Sequence, residues 1–108
     1  MTNCEAMTAL CQRFPTLRDA DGVDPWDPLT LLRWLCTSPA VTGGGEVAAR
    51  FVLSIWSEDD WHAVALEHGF VKPDSTYPRP FNVREAFGRW DNAHVQAFLS
   101  WINDPFFP

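Results

Sequence analysis

Basic residues are scarce in this chain: eight Lys and Arg stand against fourteen Asp and Glu, a net charge of -6 over 108 residues. Lys and Arg contacts to phosphate supply most nucleic-acid affinity, so direct nucleic-acid binding is not expected. Cysteine is sparse too. Cys4, Cys11 and Cys36 are odd in number and form no CxxC pair, which argues against a disulfide framework and a zinc knuckle. No window approaches the roughly 18 apolar residues of a membrane span, and no basic N-terminal region precedes a long apolar run. The expectation is a soluble, cytoplasmic protein with reduced thiols and no membrane contact.

Chemical signatures are equally thin. There is no GxSxG elbow and no local Cys/His signature for nucleophilic catalysis. His62 and His68 are six positions apart, on different faces of one helix, so no HExxH-like metal pair exists. The run Gly43-Gly44-Gly45 lacks the lysine and Ser/Thr of a phosphate loop and reads as a flexible connection. Asp19, Asp21, Asp24 and Asp27 invite comparison with a calcium loop. An EF-hand starting at Asp19 would place Val23, Asp24 and Thr30 where an oxygen ligand, Gly and Glu are needed, so the stretch reads as a solvated loop. No metal and no cofactor are expected.

What the chain does have is apolar and aromatic material: 46% hydrophobic residues, with six Trp and eight Phe, enough for one core in a single domain spanning residues 1–108. Met7, Leu10, Cys11 and Phe14 form the stripe of an amphipathic helix that Pro15 ends. Asp27 followed by Pro28 starts a second helix, buried over most of its circumference. Residues 46–56 are apolar except for Glu46, Arg50 and Ser54, which lie along one line with Glu46 oriented to pair with Arg50. A helix that apolar belongs at the centre.

Ser57 then starts a capping box with Asp60 at its third position, Trp56 and Trp61 forming a hydrophobic staple. Gly69 stops that helix as a left-handed C′ residue. Three prolines in residues 72–80 describe an extended connection. Asn82 with Glu85, and then Asp91, start two closing helices. Their stripes, Val83-Ala86-Phe87-Trp90 and Val95-Phe98-Leu99-Ile102, the latter widened by Ala97 and Trp101, are expected to cover the central helix. The fold class is therefore all-α: a compact bundle of about six short helices around a central apolar helix 46–56.

The closing pattern W-D-x-A-H-x-x-A-F-x-x-W, followed by an aromatic D-P-x-x-P ending, resembles a group of small uncharacterised bacterial proteins over residues 46–108 at most. The resemblance carries no activity and no catalytic or binding residue.

Acidity is concentrated early, with nine acidic and four basic residues in positions 1–60 against five and four in 61–108. The functional expectation is a small acidic, non-enzymatic interaction protein, a bacterial or phage accessory factor or inhibitor that binds a protein partner. A nucleic-acid-handling complex is the sharper form of that partner, with Asp19, Asp21, Asp24, Asp59 and Asp60 imitating phosphates. Trp26, Phe106 and Phe107 fall outside the helices and serve either as a lid on the core or as contacts; for the two phenylalanines the lid is favoured. Two alternatives stand beside this reading. One is a small hydrolase-like enzyme using His62 or His94 with a carboxylate. The other is a helix-turn-helix DNA-binding protein, suggested by the tight junction at Gly88–Asp91 and opposed by a last helix without Lys or Arg.

Overall fold

Every helix begins where a short polar side chain can accept a backbone N–H that the first turn leaves free. Thr2, Asp27, Thr42, Asp60, Asn82 and Asp91 accept from the N–H groups of Glu5, Leu29, Gly45, Ala63, Glu85 and His94. In the computed structural model, which describes residues 1–108, these caps start six helices: α1 Asn3–Arg13, α2 Pro28–Thr37, α3 Gly43–Trp56, α4 Trp61–Glu67, α5 Val83–Arg89 and α6 Asn92–Asn103. There are no strands, so the protein is an all-α bundle. No helix is long and apolar enough to cross a membrane.

A single cluster of 25 buried apolar residues joins the helices. α3 lies at its centre, packed on α1, α2 and α5, with α6 against α1 and α4 against α2. Phe51 on α3 is the hub: its ring lies 5.1–6.5 Å from those of Phe14, Phe81, Trp90, Phe98 and Trp101.

Four expectations need correction. First, the central helix starts at Gly43, not Glu46, and the glycine run is its first turn rather than a flexible connection. The Thr42 cap offsets the poor helix propensity of glycine, and Gly45 gives the turn room: a Cβ there would sit 3.2 Å from Thr42 Oγ1 and 3.3 Å from Thr16 Cβ, whereas one on Gly44 would be in ordinary contact with His94.

Second, residues 57–60 are not helical. Ser57 is the C-cap of α3, its hydroxyl donates to Asp59, and Asp60 takes the N-cap of α4. The Trp61 indole N–H donates to Leu53 O at 3.1 Å, closing the end of α3, so Trp61 joins the two helices without the expected staple spacing. The end of α4 follows the reading: Gly69 has φ +71°, and the N–H groups of Gly69 and Phe70 donate to Leu66 O and Ala65 O as in a Schellman motif.

Third, the inward faces of α5 and α6 match the expected stripes only in part. Ala86 and Trp90 on α5 and Ala97, Phe98 and Trp101 on α6 are buried as expected, but so is His94, whereas Val83, Phe87, Leu99 and Ile102 are largely exposed. Trp90 sets this rotation, because its indole N–H is tied to Gly44 O at 3.1 Å and leaves only Asp91 before α6 begins.

Fourth, the segment between α1 and α2 is no solvated loop. Phe14, Leu17, Ala20, Val23 and Trp26 are all buried, one in three. Successive N–H groups donate three residues back, Leu17 to Phe14, Ala20 to Leu17 and Val23 to Ala20. That hydrogen bonding winds about three residues per turn, so every third side chain points the same way, into the core.

Candidate functional site

The aromatics of the tail and of the strap, residues 14–26 between α1 and α2, divide between packing and exposure. Trp26 is buried, its ring 5.5 Å from that of Trp56. Phe106 is half-buried, its carbonyl accepting the Trp101 indole N–H at 3.2 Å. Phe107 is 72% exposed, touching the core only edge-on through Trp101. Phe106 is thus a lid and Phe107 largely is not.

The acidic residues fall into two sets at different clefts. Asp19, Asp21 and Asp24 occupy off-period positions of the strap, so they face solvent and line a polar hollow of about 510 Å³ with Gln12 and Arg18. Asp59 and Asp60 line another cleft of about 420 Å³, formed by the last turns of α3, the turn 57–60, the start of α4 and residues 78–81. Nowhere do three His, Cys, Asp or Glu side chains come together in a way that could hold a metal ion.

The 420 Å³ cleft is the better-built of the two, and its construction begins with Arg50. This residue is 3% exposed, in the middle of the most apolar helix. A buried guanidinium is costly unless each donor is met. Here Nε donates to Arg79 O at 2.8 Å, Nη2 to Pro80 O, and Nη1 and Nη2 to the two carboxylate oxygens of Glu85 at 2.8 and 3.2 Å. Arg50 therefore fastens the segment without regular structure, 79–80, onto α3 and fixes one wall of the cleft. Glu85 is also approached by Arg79 and Arg89, at 3.1 and 3.3 Å. Its carboxyl is held below the usual range, first by the hydrogen bond from Arg50 and then by the charges of the three arginines.

His62 lies in the facing wall. Its Nδ1 is 2.9 Å from Tyr77 O. A carbonyl can only accept, so Nδ1 carries the hydrogen and the neutral ring keeps its lone pair on Nε2, which has no partner within the protein. Glu58, Asp59 and Asp60 complete the rim. Asp59 accepts from Ser57 and Asp60 caps α4, but none of the three forms an ion pair, whereas Arg50 and Arg79 both do. The unneutralised charge at this cleft is negative.

His94 follows a different plan. It is 4% exposed, with Nδ1 2.7 Å from Asp91 Oδ1 and Nε2 2.7 Å from Thr16 Oγ1. The carboxylate makes Nδ1 the donor, and the Thr16 hydroxyl then donates to Nε2. Asp91 is held below the usual carboxylate range, first by the His94 side chain and then by the His94 backbone N–H. Carboxylate, imidazole and hydroxyl are in the order of an acyl-transfer relay. None of the three principal clefts is lined by His94 or Thr16, and the ring is packed between Phe14 and Trp90. The arrangement is a clip that joins α6 to the start of the strap.

Two of the three thiols are held protonated by burial. Cys11 is buried, which pushes its pKa up to about 12, and half-buried Cys36 is raised to about 11 by the same cause.

No family model, curated protein or solved structure matches this chain. The functional reading is therefore carried by the cleft itself. Asp59 and Asp60 were legible as candidate residues. Arg50, His62 with Tyr77, and the wall residues Trp61 and Phe81 were not assembled from sequence. The one available signal was a lone arginine in the most hydrophobic segment, which has to find acceptors somewhere.

Proposed function

We propose that this chain is an acidic interaction protein that binds a basic surface of a protein partner through the cleft between α3, α4 and residues 78–81. The observation that carries the reading is the rim: Glu58, Asp59 and Asp60 border a ligand-sized hollow and none has a cationic partner. Carboxylates so arranged steer and select a positively charged surface. Nucleic-acid-handling proteins display such surfaces toward phosphates, which makes them the partner class best matched to this rim. Asp19, Asp21 and Asp24 provide a second acidic patch on the strap and a built-in comparison.

Affinity capture from a lysate of the source cell tests the reading. A nucleic-acid-handling protein should be recovered by the natural chain, lost with Glu58→Lys/Asp59→Lys and retained with Asp19→Lys/Asp21→Lys. Asp60 is left in place because it caps α4. Equal recovery with the Glu58→Lys/Asp59→Lys variant removes the cleft from the interface.

One observation favours a second reading, hydrolysis with His62 as general base: His62, with Nε2 unpartnered, lines the same cleft as three carboxylates. Undiminished biological function in His62→Ala discards it.

A further inference from the structure

We infer that the cleft receives the side chain of an arginine on the partner's surface; this rests on the cleft being the partner-binding site. Three properties of its walls select that side chain.

The first is the exclusion of anions. Arg50 commits four of its five donors to Glu85 and the carbonyls of Arg79 and Pro80, with Glu46 3.6 Å from Nη1. Arg79 gives one donor to Glu85, a carboxylate it shares with Arg50 and Arg89. An anionic occupant would meet three carboxylates without cationic partners against one partly paired guanidinium.

The second is the distribution of acceptors. His62 Nε2, Glu58 and the remaining oxygens of Asp59 and Asp60 are separate acceptors on one rim, the first held in its accepting tautomer by Tyr77 O. A guanidinium presents donors in a planar fork that reaches several acceptors at once, whereas an ammonium is a compact, strongly hydrated point charge.

The third is the character of the walls. Trp61 is held in place by its bond to Leu53 O, and Phe81 is fixed by packing against Phe51 at 5.2 Å. Aromatic faces favour a flat cation that stacks, which is again the property of arginine.

The experiment uses isotope-labelled full-length protein and two blocked amino acids, N-acetyl-arginine amide and N-acetyl-lysine amide. The reporters are the Trp61 indole N–H and the backbone N–H groups of residues 57–63. The arginine compound should shift these signals with a dissociation constant on the order of millimolar, as befits a ligand of its size. The lysine compound should bind at least about threefold more weakly. Asp59→Asn/Asp60→Asn should weaken arginine binding by about fivefold or more. Asn still caps α4, so an unchanged melting temperature shows that the fold persists.

Equal binding of the two compounds, shifts confined to another surface, or no effect of Asp59→Asn/Asp60→Asn overturns the inference. Tighter binding of free L-arginine than of the blocked form would do so too, because it would identify the amino acid, and not a protein side chain, as the ligand. If N-acetyl-arginine amide leaves the signals unmoved while Glu58→Lys/Asp59→Lys still abolishes partner capture, the arginine inference falls and the interaction site stands. If capture is also unaffected, both fall.

Discussion

Arg50 and Glu85 meet as a two-pronged pair across 35 positions of sequence, with Nη1 to Oε1 at 2.8 Å and Nη2 to Oε2 at 3.2 Å. The arginine is on the central helix and the glutamate is in the first turn of α5. The pair, together with the two carbonyls that Arg50 also holds, fixes residues 79–85 in space. Removal of Glu85 leaves the buried Arg50 guanidinium without its close carboxylate, whereas removal of Arg50 leaves Glu85 with Arg79 and Arg89 and frees the two carbonyls.

Arg50→Met should therefore destabilise the protein by about 1–3 kcal/mol, the cost of leaving acceptors unmet, because Glu85 keeps Arg79 and Arg89. Glu85→Gln keeps the size and one acceptor and should cost less. Chemical denaturation measures both. Equal stability of Arg50→Met and the natural chain would mean that residues 79–80 hold their place without Arg50.

Acid should loosen the same region. The folded-state pKa values of Glu85 and Asp91 are both depressed, so the stability they contribute is complete above the ordinary values, about 4.3 for Glu and about 3.9 for Asp, and is lost as pH falls through the lower folded values. The melting temperature should stay level for these groups above that window and decline within it. Glu85→Gln should flatten the decline, and a slope unchanged by Glu85→Gln and by Asp91→Asn would count against both assignments.

Two glycines should respond in opposite directions to alanine. Gly22 has φ +89°, and a Cβ there would lie 2.4 Å from Leu31 N and 2.6 Å from Asp27 O, both backbone atoms. Gly22→Ala should cost more than about 3 kcal/mol, since strain and collision add. Gly88 is inside α5 with nothing near its Cβ position, so Gly88→Ala should stabilise by about 0.5–1 kcal/mol. Thermal melting of the two variants distinguishes them directly.

The tryptophans differ in what their indole N–H groups do. Trp90 donates to Gly44 O, whereas Trp26 Nε1 is buried without a partner. Trp90→Phe should cost about 0.5–1.5 kcal/mol beyond the lost volume because it removes a hydrogen bond that ties the junction of α5 and α6 to α3, and Trp26→Phe removes an unmet donor and should cost less. A larger loss for Trp26→Phe, measured by urea unfolding, would show that its indole does have a partner in solution.

The caps explain why so much of the helical order was readable in the sequence. Asp27-Pro28, Asn82 with Glu85, Asp91 and the Gly69 stop are local devices, and each depends on residues within a few positions. The strap at 14–26 was missed because its buried residues recur every third position, a period that belongs neither to an α-helix nor to a strand. Of the expected stripes, Ala86, Trp90 and Phe98 are buried, and the inward position that was missed is His94, whose ring carries polar atoms. It is buried through bonds to Asp91 and to Thr16, and only the tertiary fold brings Thr16 near. The cleft was half legible: the acids at 58–60 are evident, but the wall opposite them exists only because Arg50 reaches residues 79–80.

The closing sequence from Trp90 to Trp101 has a consequence for ancestry. Trp90, His94, Ala97, Phe98 and Trp101 face inward, and Asp91 both caps α6 and holds His94, so this spacing encodes one wall of a scaffold. Of the rim at Glu58–Asp60, only Asp60 has a structural task, as the cap of α4, which another short acceptor can perform; Glu58 and Asp59 make no such demand on the core. Lineages that keep the wall are free to exchange the rim, and chains related through the closing sequence would share a shape while diverging in the company they keep.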